Sequence, residues 1–391
     1  MNKNYDFIIS GAGLVGAISA LQLSRKGYDC CLIEKNYLPI KKTHKDFAPL
    51  SLNYRSFLIL KKFGLWDEIS KYAYPINTLN IKSFNSLNRI SFNSNDIGLD
   101  VLGYVVDRRS LLSSFLSTLS DDSKVTIIEN NYIDGINLSG SKKTPVSLNL
   151  NSKDTMNSKY LIVSDGVNSK IKDILDIKSH TIDYSQNSFV YNVNGSFEKN
   201  TAVQIFNKYG IFAGIPGGND TFNLVLSINK QFENKFFKNK LLDTDLLESI
   251  YKGYACEFHN INFVSKYPLV TSRSDKIVQD NILLLGNSSQ LLHPVGAQGF
   301  NLALRNVNDM INFLDKGSDF TSLSSLIYSD RERTFSNIDF ATNILANTRL
   351  PSRILSLAAC NLIKSSSFIK SQFLENILGI KNYPYLSVGI K

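Results

Sequence analysis

The chain has 391 residues, 43% of them hydrophobic, and a formal net charge of +9, enough apolar material for a large core and a charge that suits nucleic acid, an anionic membrane surface or an acidic cofactor. Its lysines and arginines are spread along the chain and not gathered into one arm, which argues against nucleic acid, and no run reaches the ~18 apolar residues that cross a bilayer. The four cysteines (Cys30, Cys31, Cys256, Cys360) show no CxxC spacing and the four histidines (His44, His180, His259, His293) no ligand spacing, so reduced core thiols and no metal are expected.

The first residues run straight into a strand at 5–10 with no apolar leader, so a cytoplasmic protein is expected. Gly11-Ala12-Gly13-Leu14-Val15-Gly16 follows, then a helix with Leu14, Ile18 and Leu21 at helical spacing, and a second strand at 28–33 that ends on Glu34-Lys35. A lone GxGxxG is weak evidence. Between a strand and a helix, with an acid about twenty residues on, it is the dinucleotide fingerprint. Gly11 permits the tight turn, Gly13 clears space for a pyrophosphate, and Gly16 lets helix approach strand; Glu34 would accept from an adenosine ribose.

A polar, basic link at 41–46 leads to a helix at 54–64, short strands within 77–99 and a strand at 104–106. A helix opening near Arg109 carries Leu111, Leu112, Phe115, Leu116 and Leu119 on one face. Strands at 124–129 and 146–150 flank a polar hairpin, and a strand at 160–163 runs into Ser164-Asp165-Gly166. Residues 188–228 alternate as strands, punctuated by Gly214, Pro216, Gly217 and Gly218; a helix at 245–254 and a strand at 263–270 follow. At 282–285 the chain returns to strand, turns at Gly286-Asn287, and passes through His293, Pro294, Gly296, Gln298 and Gly299 into a helix near Phe300-Asn301. Such a loop lets backbone approach a ligand closely, and the helix start aims N–H groups and a positive dipole end at it. That suits a planar ring that becomes anionic. His293 reads as a proton relay or, by preference, a structural hydrogen-bonding residue. After 321 the chain is mostly helical.

Three motifs in this order, Gly11/Gly13/Gly16, Asp165-Gly166, and Gly286-Asn287 through His293-Pro294 to Gln298-Gly299, resemble those of group A FAD-dependent aromatic monooxygenases, the family with the para-hydroxybenzoate hydroxylase fold. GNSSQLLHPVGAQGFNLALRN, TAVQIFNKYGIFAGIP and YPLVTSRSD are most similar to the UbiH-type ubiquinone-biosynthesis hydroxylases. The resemblance implies an α/β fold: a Rossmann-like (GR2-type) FAD-binding domain from 1–76, 100–182 and 274–335. A β-sheet substrate domain at 77–99 and 183–273 is inserted into it, and a helical segment at 336–391 closes the chain. It assigns the FAD pyrophosphate to Gly11–Gly16, the ribose to Glu34 with Lys35, and further FAD contacts to Arg109, Asp165 and Gly166. Gly286-Asn287 falls to the ribityl chain, and Pro294, Gly296, Gln298, Gly299, Phe300 and Asn301 to the flavin ring. Departures are Asn287 for the usual aspartate, Ala48 for an arginine, and Lys172 for the arginine that ends the DG motif.

The implied activity is hydroxylation of a polyprenylated phenol ring, with NAD(P)H as transient co-substrate and O2 activated as a flavin C4a-hydroperoxide. The alternatives are an FAD oxidoreductase acting on another prenyl lipid or aromatic, and a non-catalytic accessory flavoprotein. Phe206, Phe212 and Ile215 are candidate substrate-lining residues, with plain sheet core the equal alternative. From 354 to 380 apolar residues recur near helical spacing with Arg349, Arg353, Lys364 and Lys370 around them, so partial contact with the inner face of a membrane is expected beside core covering. Other ubiquinone-biosynthesis proteins are the expected partners.

Overall fold

The computed structural model describes residues 3–38, 47–83, 89–137, 145–217, 221–238, 241–317, 320–342 and 360–380. The link at 41–46, the tip of the polar hairpin, Gly218, His44 and the helical expectation at 349–359 lie outside the described residues, as does the side chain of Cys256.

The N-terminal strand Lys3–Ser10 is the centre of the first sheet. On one side it pairs in parallel with Cys30–Ile33, which pairs with Val125–Ile128. On the other it pairs with Thr155–Val163, which pairs with Ile282–Leu284. Both faces of these strands are covered: one by the helices Leu14–Arg25, Arg108–Ser120 and Gln298–Asp315, the other by the strands Ile133–Asn137 and Val146–Leu150 and the short helix Lys170–Ile174. Ser10 is level with Ile33 on one side and Val163 on the other, and Val163 is level with Leu284. One row across the sheet therefore delivers Gly11, Glu34, Ser164 and Leu285 to the same carboxyl edge, where open α/β sheets place their ligands.

The second sheet, of eight strands, has Ser179–Phe197 and Ala255–Ser274 as its long members. It continues through Thr221–Asn229, Gly210–Pro216 and Thr201–Asn207 to Thr78–Lys82 and Ile90–Asn93. One face packs on the helix Thr244–Tyr251 around Phe212, Leu224, Leu226 and Tyr251. The other turns toward the carboxyl edge of the first sheet. A three-stranded sheet of Pro49–Asn53, Gly103–Asp107 and Tyr74–Ile76 lies beside them. The strand Pro49–Asn53 is absent from the sequence reading, which passes from the polar link directly to a helix.

The helix Gln298–Asp315 packs on the helices Leu14–Arg25, Tyr54–Lys62 and Phe320–Phe340. The last described helix, Ser367–Ile377, buries Leu374 against Phe92 and Phe335 and stacks Phe373 on Phe92. No helix among the described residues is long and apolar enough to cross a membrane.

Candidate cofactor and substrate site

The three glycines of the first loop do three different things. A Cβ on Gly11, where φ is +94°, would stand 2.6 Å from the Cα of Asp165, so this residue seats the first loop on the DG turn. A Cβ on Gly16 would stand 1.9 Å from the carbonyl oxygen of Gly11, so here helix and loop touch. A Cβ on Gly13 would meet nothing within 4 Å. Gly13 is also the N-cap of the helix Leu14–Arg25, no side chain caps it, and no acid lies in the first turn. A helix start with unsatisfied N–H groups and open space before it is a cradle for an anion.

Gly13, Leu14 and Val15 border a cavity of about 790 Å³. Arg108, Arg109, Gly166, Gly286 and Asn287 border the same space, as do Pro294, Gly296, Gly299, Phe300 and Asn301. Asn287 is exposed toward it, on the turn Gly286–Ser288 that Ser288 pins by donating from Oγ to the carbonyl of Val163 at 2.5 Å. Gly296 and Ala297 both adopt positive φ, +67° and +52°, just before the helix Gln298–Asp315. That bend is what brings the helix start to the cavity. Asn301 holds it there: its Oδ1 accepts from Asn53 N at 3.0 Å and its Nδ2 donates to Ser51 O at 3.0 Å and Ala297 O at 2.6 Å.

Gly11, Ala12, Gly16, Glu34, Lys35 and Asp165 stand behind or beside the cavity wall. Glu34 Oε2 accepts from Ala12 N at 2.9 Å and its Oε1 from Asn36 N at 3.1 Å, which ties the ends of the first two strands together. Lys35 is exposed. Asp165 carries a buried Oδ1 with no hydrogen-bond partner among the described residues, and burial pushes its carboxyl above the usual range. Lys172 is buried, donates to Val167 O at 2.8 Å and Ser179 Oγ at 3.2 Å, and so fastens the DG turn from behind. His293 is 1% exposed. Its Nδ1 accepts from Val295 N at 3.2 Å, which leaves Nε2–H to donate to Gln186 Oε1 at 3.1 Å, and burial lowers its pKa to about 4. A neutral imidazole spent on both nitrogens is a loop fastener, the structural alternative of the sequence reading.

Three expected positions need correction. Phe212 does not line the cavity: alternation along Gly210–Pro216 turns Ala213 and Ile215 to it and Phe212 to the core over Tyr251. Phe206 and the side chain of Gln298 face a second, smaller cavity; Gln298 Nε2 donates to Gly296 O and Ile377 O, both at 3.2 Å. Ile215 does line the large cavity, and the sequence reading missed its companions Val190, Val225, Tyr267 and Leu269, along with Arg108, Leu50 and Ser51. The alternation of Leu50 and Leu52 after Pro49 was the available signal for that hidden strand.

Loops at the carboxyl edge of one parallel sheet, one of them an open helix start before Leu14, share a single cavity that runs on to a second sheet, the arrangement of a dinucleotide-binding protein. The FAD binding domain family matches residues 4–316, and the chain belongs to that family. It is similar, at 23% identity over 340 residues (83% of this chain, 73% of the relative), to the ubiquinone hydroxylase UbiM of Neisseria meningitidis. Human mitochondrial ubiquinone biosynthesis monooxygenase COQ6 is 25% identical over 416 residues, 92% of this chain and 87% of that one. Among solved structures, p-nitrophenol 4-monooxygenase PnpA of Pseudomonas putida DLL-E4 superposes with a TM-score of 0.77 over 97% of this chain and 99% of that chain at 13% identity, a likeness of fold. The residues present fit FAD: open space above Gly13, an uncapped helix start, and a buried Asp165 oxygen still lacking a partner.

Proposed function

We propose that this chain is an FAD-dependent monooxygenase that hydroxylates the aromatic ring of a polyprenylated phenol in ubiquinone biosynthesis, consuming NAD(P)H and O2. The observation that carries the reading is the single cavity of about 790 Å³, with the dinucleotide cradle on one wall and an apolar sheet face on the other. The names of UbiM and COQ6 support the substrate class.

When bound, FAD supplies the redox chemistry between the nicotinamide and dioxygen. The chain's residues bind, orient and exclude water. In this reading Gly11 to Gly16 and the helix behind them take the pyrophosphate, Glu34 and Lys35 the adenosine ribose, and Arg109 and the Asp165-Gly166 turn further polar groups of the cofactor. Asn287 offers the ribityl chain an uncharged donor and acceptor. Backbone at Pro294, Gly296 and Gly299 to Asn301 borders the ring, and the positive end of the helix Gln298–Asp315 favours negative charge there. Val190, Ile215, Val225 and Leu269 give the phenol an apolar wall. The divisions at 77–99 and 183–273 are the proposed substrate domain, entered and left along the two longest strands.

A membrane-resident substrate calls for access to a lipid surface. Leu362, Phe368 and Ile369 are exposed near Lys364 and form a patch for peripheral, salt-sensitive contact. The test of function is O2 uptake by the FAD-loaded protein with a short-chain prenyl phenol under ¹⁸O2, together with the quinone precursor that accumulates on gene deletion. A product carrying one ¹⁸O supports the reading. NAD(P)H oxidation with reduced, unlabelled product would replace it with the oxidoreductase alternative.

A further inference from the structure

The second cavity, about 290 Å³, lies between the helices Gln298–Asp315, Phe320–Phe340 and Ser367–Ile377 and the strand Thr201–Asn207. That is the lower end of the ~300–1,000 Å³ of small-molecule sites. Ile81, Phe206, Ile338, Phe340, Ala341 and Phe373 make much of it apolar. Among the described residues, three arginines, Arg55, Arg305 and Arg333, border the same space with one acid, Asp330. A second acid, Asp309, also interacts with Arg55 and Arg305.

Arg305 is the decisive residue. It is 3% exposed. Its Nε donates to Asp330 Oδ2 at 2.7 Å, and its Nη2 to Asp330 Oδ1 at 3.2 Å and Thr334 Oγ1 at 3.1 Å. Its Nη1 is buried with no hydrogen-bond partner among the described residues. A buried guanidinium donor left unmade at the wall of an apolar cavity is costly, and an anionic oxygen would satisfy it. Arg333, Asn337 and Phe340 are exposed and mark the rim.

We propose that this cavity is a separate binding site for an amphiphilic anion, a medium-length acyl chain ending in a carboxylate. The carboxylate accepts from Arg305 Nη1, Arg333 adds attraction at the rim, and the chain lies along Phe206 and Phe373. An uncharged prenyl tail reaching over from the large cavity, which shares the walls Leu79, Gln204, Gly296 and Ile377, would leave Nη1 unsatisfied. The charge is what separates the two occupants. Because Gly296 also borders the large cavity, occupancy should be visible in the flavin absorbance.

The experiment titrates the FAD-loaded protein with dodecanoate and, separately, dodecanol, by calorimetry and by flavin difference spectra. Dodecanoate should bind at least about tenfold more tightly, the scale of one charged hydrogen bond. Arg333→Gln, an exposed position, should weaken dodecanoate alone, and Ala341→Trp, which fills the cavity, should abolish binding of both. Arg305→Lys adds a direct test if it folds. Equal binding of the alcohol would overturn the proposal in favour of a neutral-tail site. Dodecanoate binding that survives Ala341→Trp, or no binding at all, would also overturn it. None of these outcomes bears on hydroxylation in the large cavity.

Discussion

Two glycines three residues apart in the first loop should fail in opposite ways. At Gly13 an added Cβ meets nothing within 4 Å, and the backbone, at φ −68° and ψ −179°, is ordinary extended chain. Gly13→Val should therefore change the stability of the flavin-free protein by no more than ~0.5 kcal/mol. Its isopropyl group would instead occupy the space assigned to the pyrophosphate. Losing the close approach of the uncapped helix start should weaken FAD about a hundredfold, roughly 2.7 kcal/mol. At Gly16 the Cβ would stand 1.9 Å from the Gly11 carbonyl oxygen, well inside contact, and 2.7 Å from Ser164 Oγ. Neither the loop nor the buried strand end beside it can yield freely. Gly16→Ala should cost ~1–3 kcal/mol through overpacking, with or without FAD. The assay pairs thermal unfolding of the flavin-free proteins with FAD titration followed by flavin fluorescence. If Gly13→Val melted as early as Gly16→Ala, the open space would not exist. If Gly13→Val bound FAD within about threefold of the parent, roughly 0.65 kcal/mol, the cradle would be elsewhere.

Asn287→Asp should bind FAD within about tenfold of the parent and Asn287→Leu more weakly, because only leucine leaves the ribityl hydroxyl unpaired; equal affinity for all three would remove the residue from the site. His293 is neutral when folded, with its pKa lowered to about 4 from an ordinary 6.5, so the unfolded chain takes up the proton first. Stability linked to it is complete above pH 6.5 and lost as pH falls toward 4, on the order of 3 kcal/mol. Unfolding of His293→Asn, compared with the parent at pH 7.5 and 4.5, should show a flatter loss, and an unchanged slope would refute the assignment. Asp309, whose carboxyl burial pushes up to about 6, opposes this trend equally in both proteins. Phe368→Ser with Lys364→Glu should reduce flotation with anionic liposomes at low salt; if the variant and the parent float equally, the surface patch has no membrane role. Lys370 is a poor choice for that experiment, since it pairs with Asp96 at 2.7 Å and holds its helix to the protein.

The order of motifs along the chain was enough to define the nucleotide-binding half. Gly11, Gly13 and Gly16 sit between strand and helix, Glu34 ends the next strand, and Asp165 and Gly286 follow two more, so local periodicity and turn chemistry state the arrangement without any long-range contact. Register then had to bring them level, and the pairing of Ser10 with Ile33 and Val163, and of Val163 with Leu284, is a property of the assembled sheet. The wall of the large cavity was less legible. Phe212 and Ile215 are both apolar residues of one short strand, and only the packing of the helix Thr244–Tyr251 decides which face is core and which is cavity. Gln298 reads as part of the ring-binding loop until the positive φ at Gly296 and Ala297 turns its side chain toward Ile377. The arginines of the second cavity come from positions 55, 305 and 333. Residues that distant share no periodicity or spacing, so their meeting around an unsatisfied guanidinium is decided by helix packing alone.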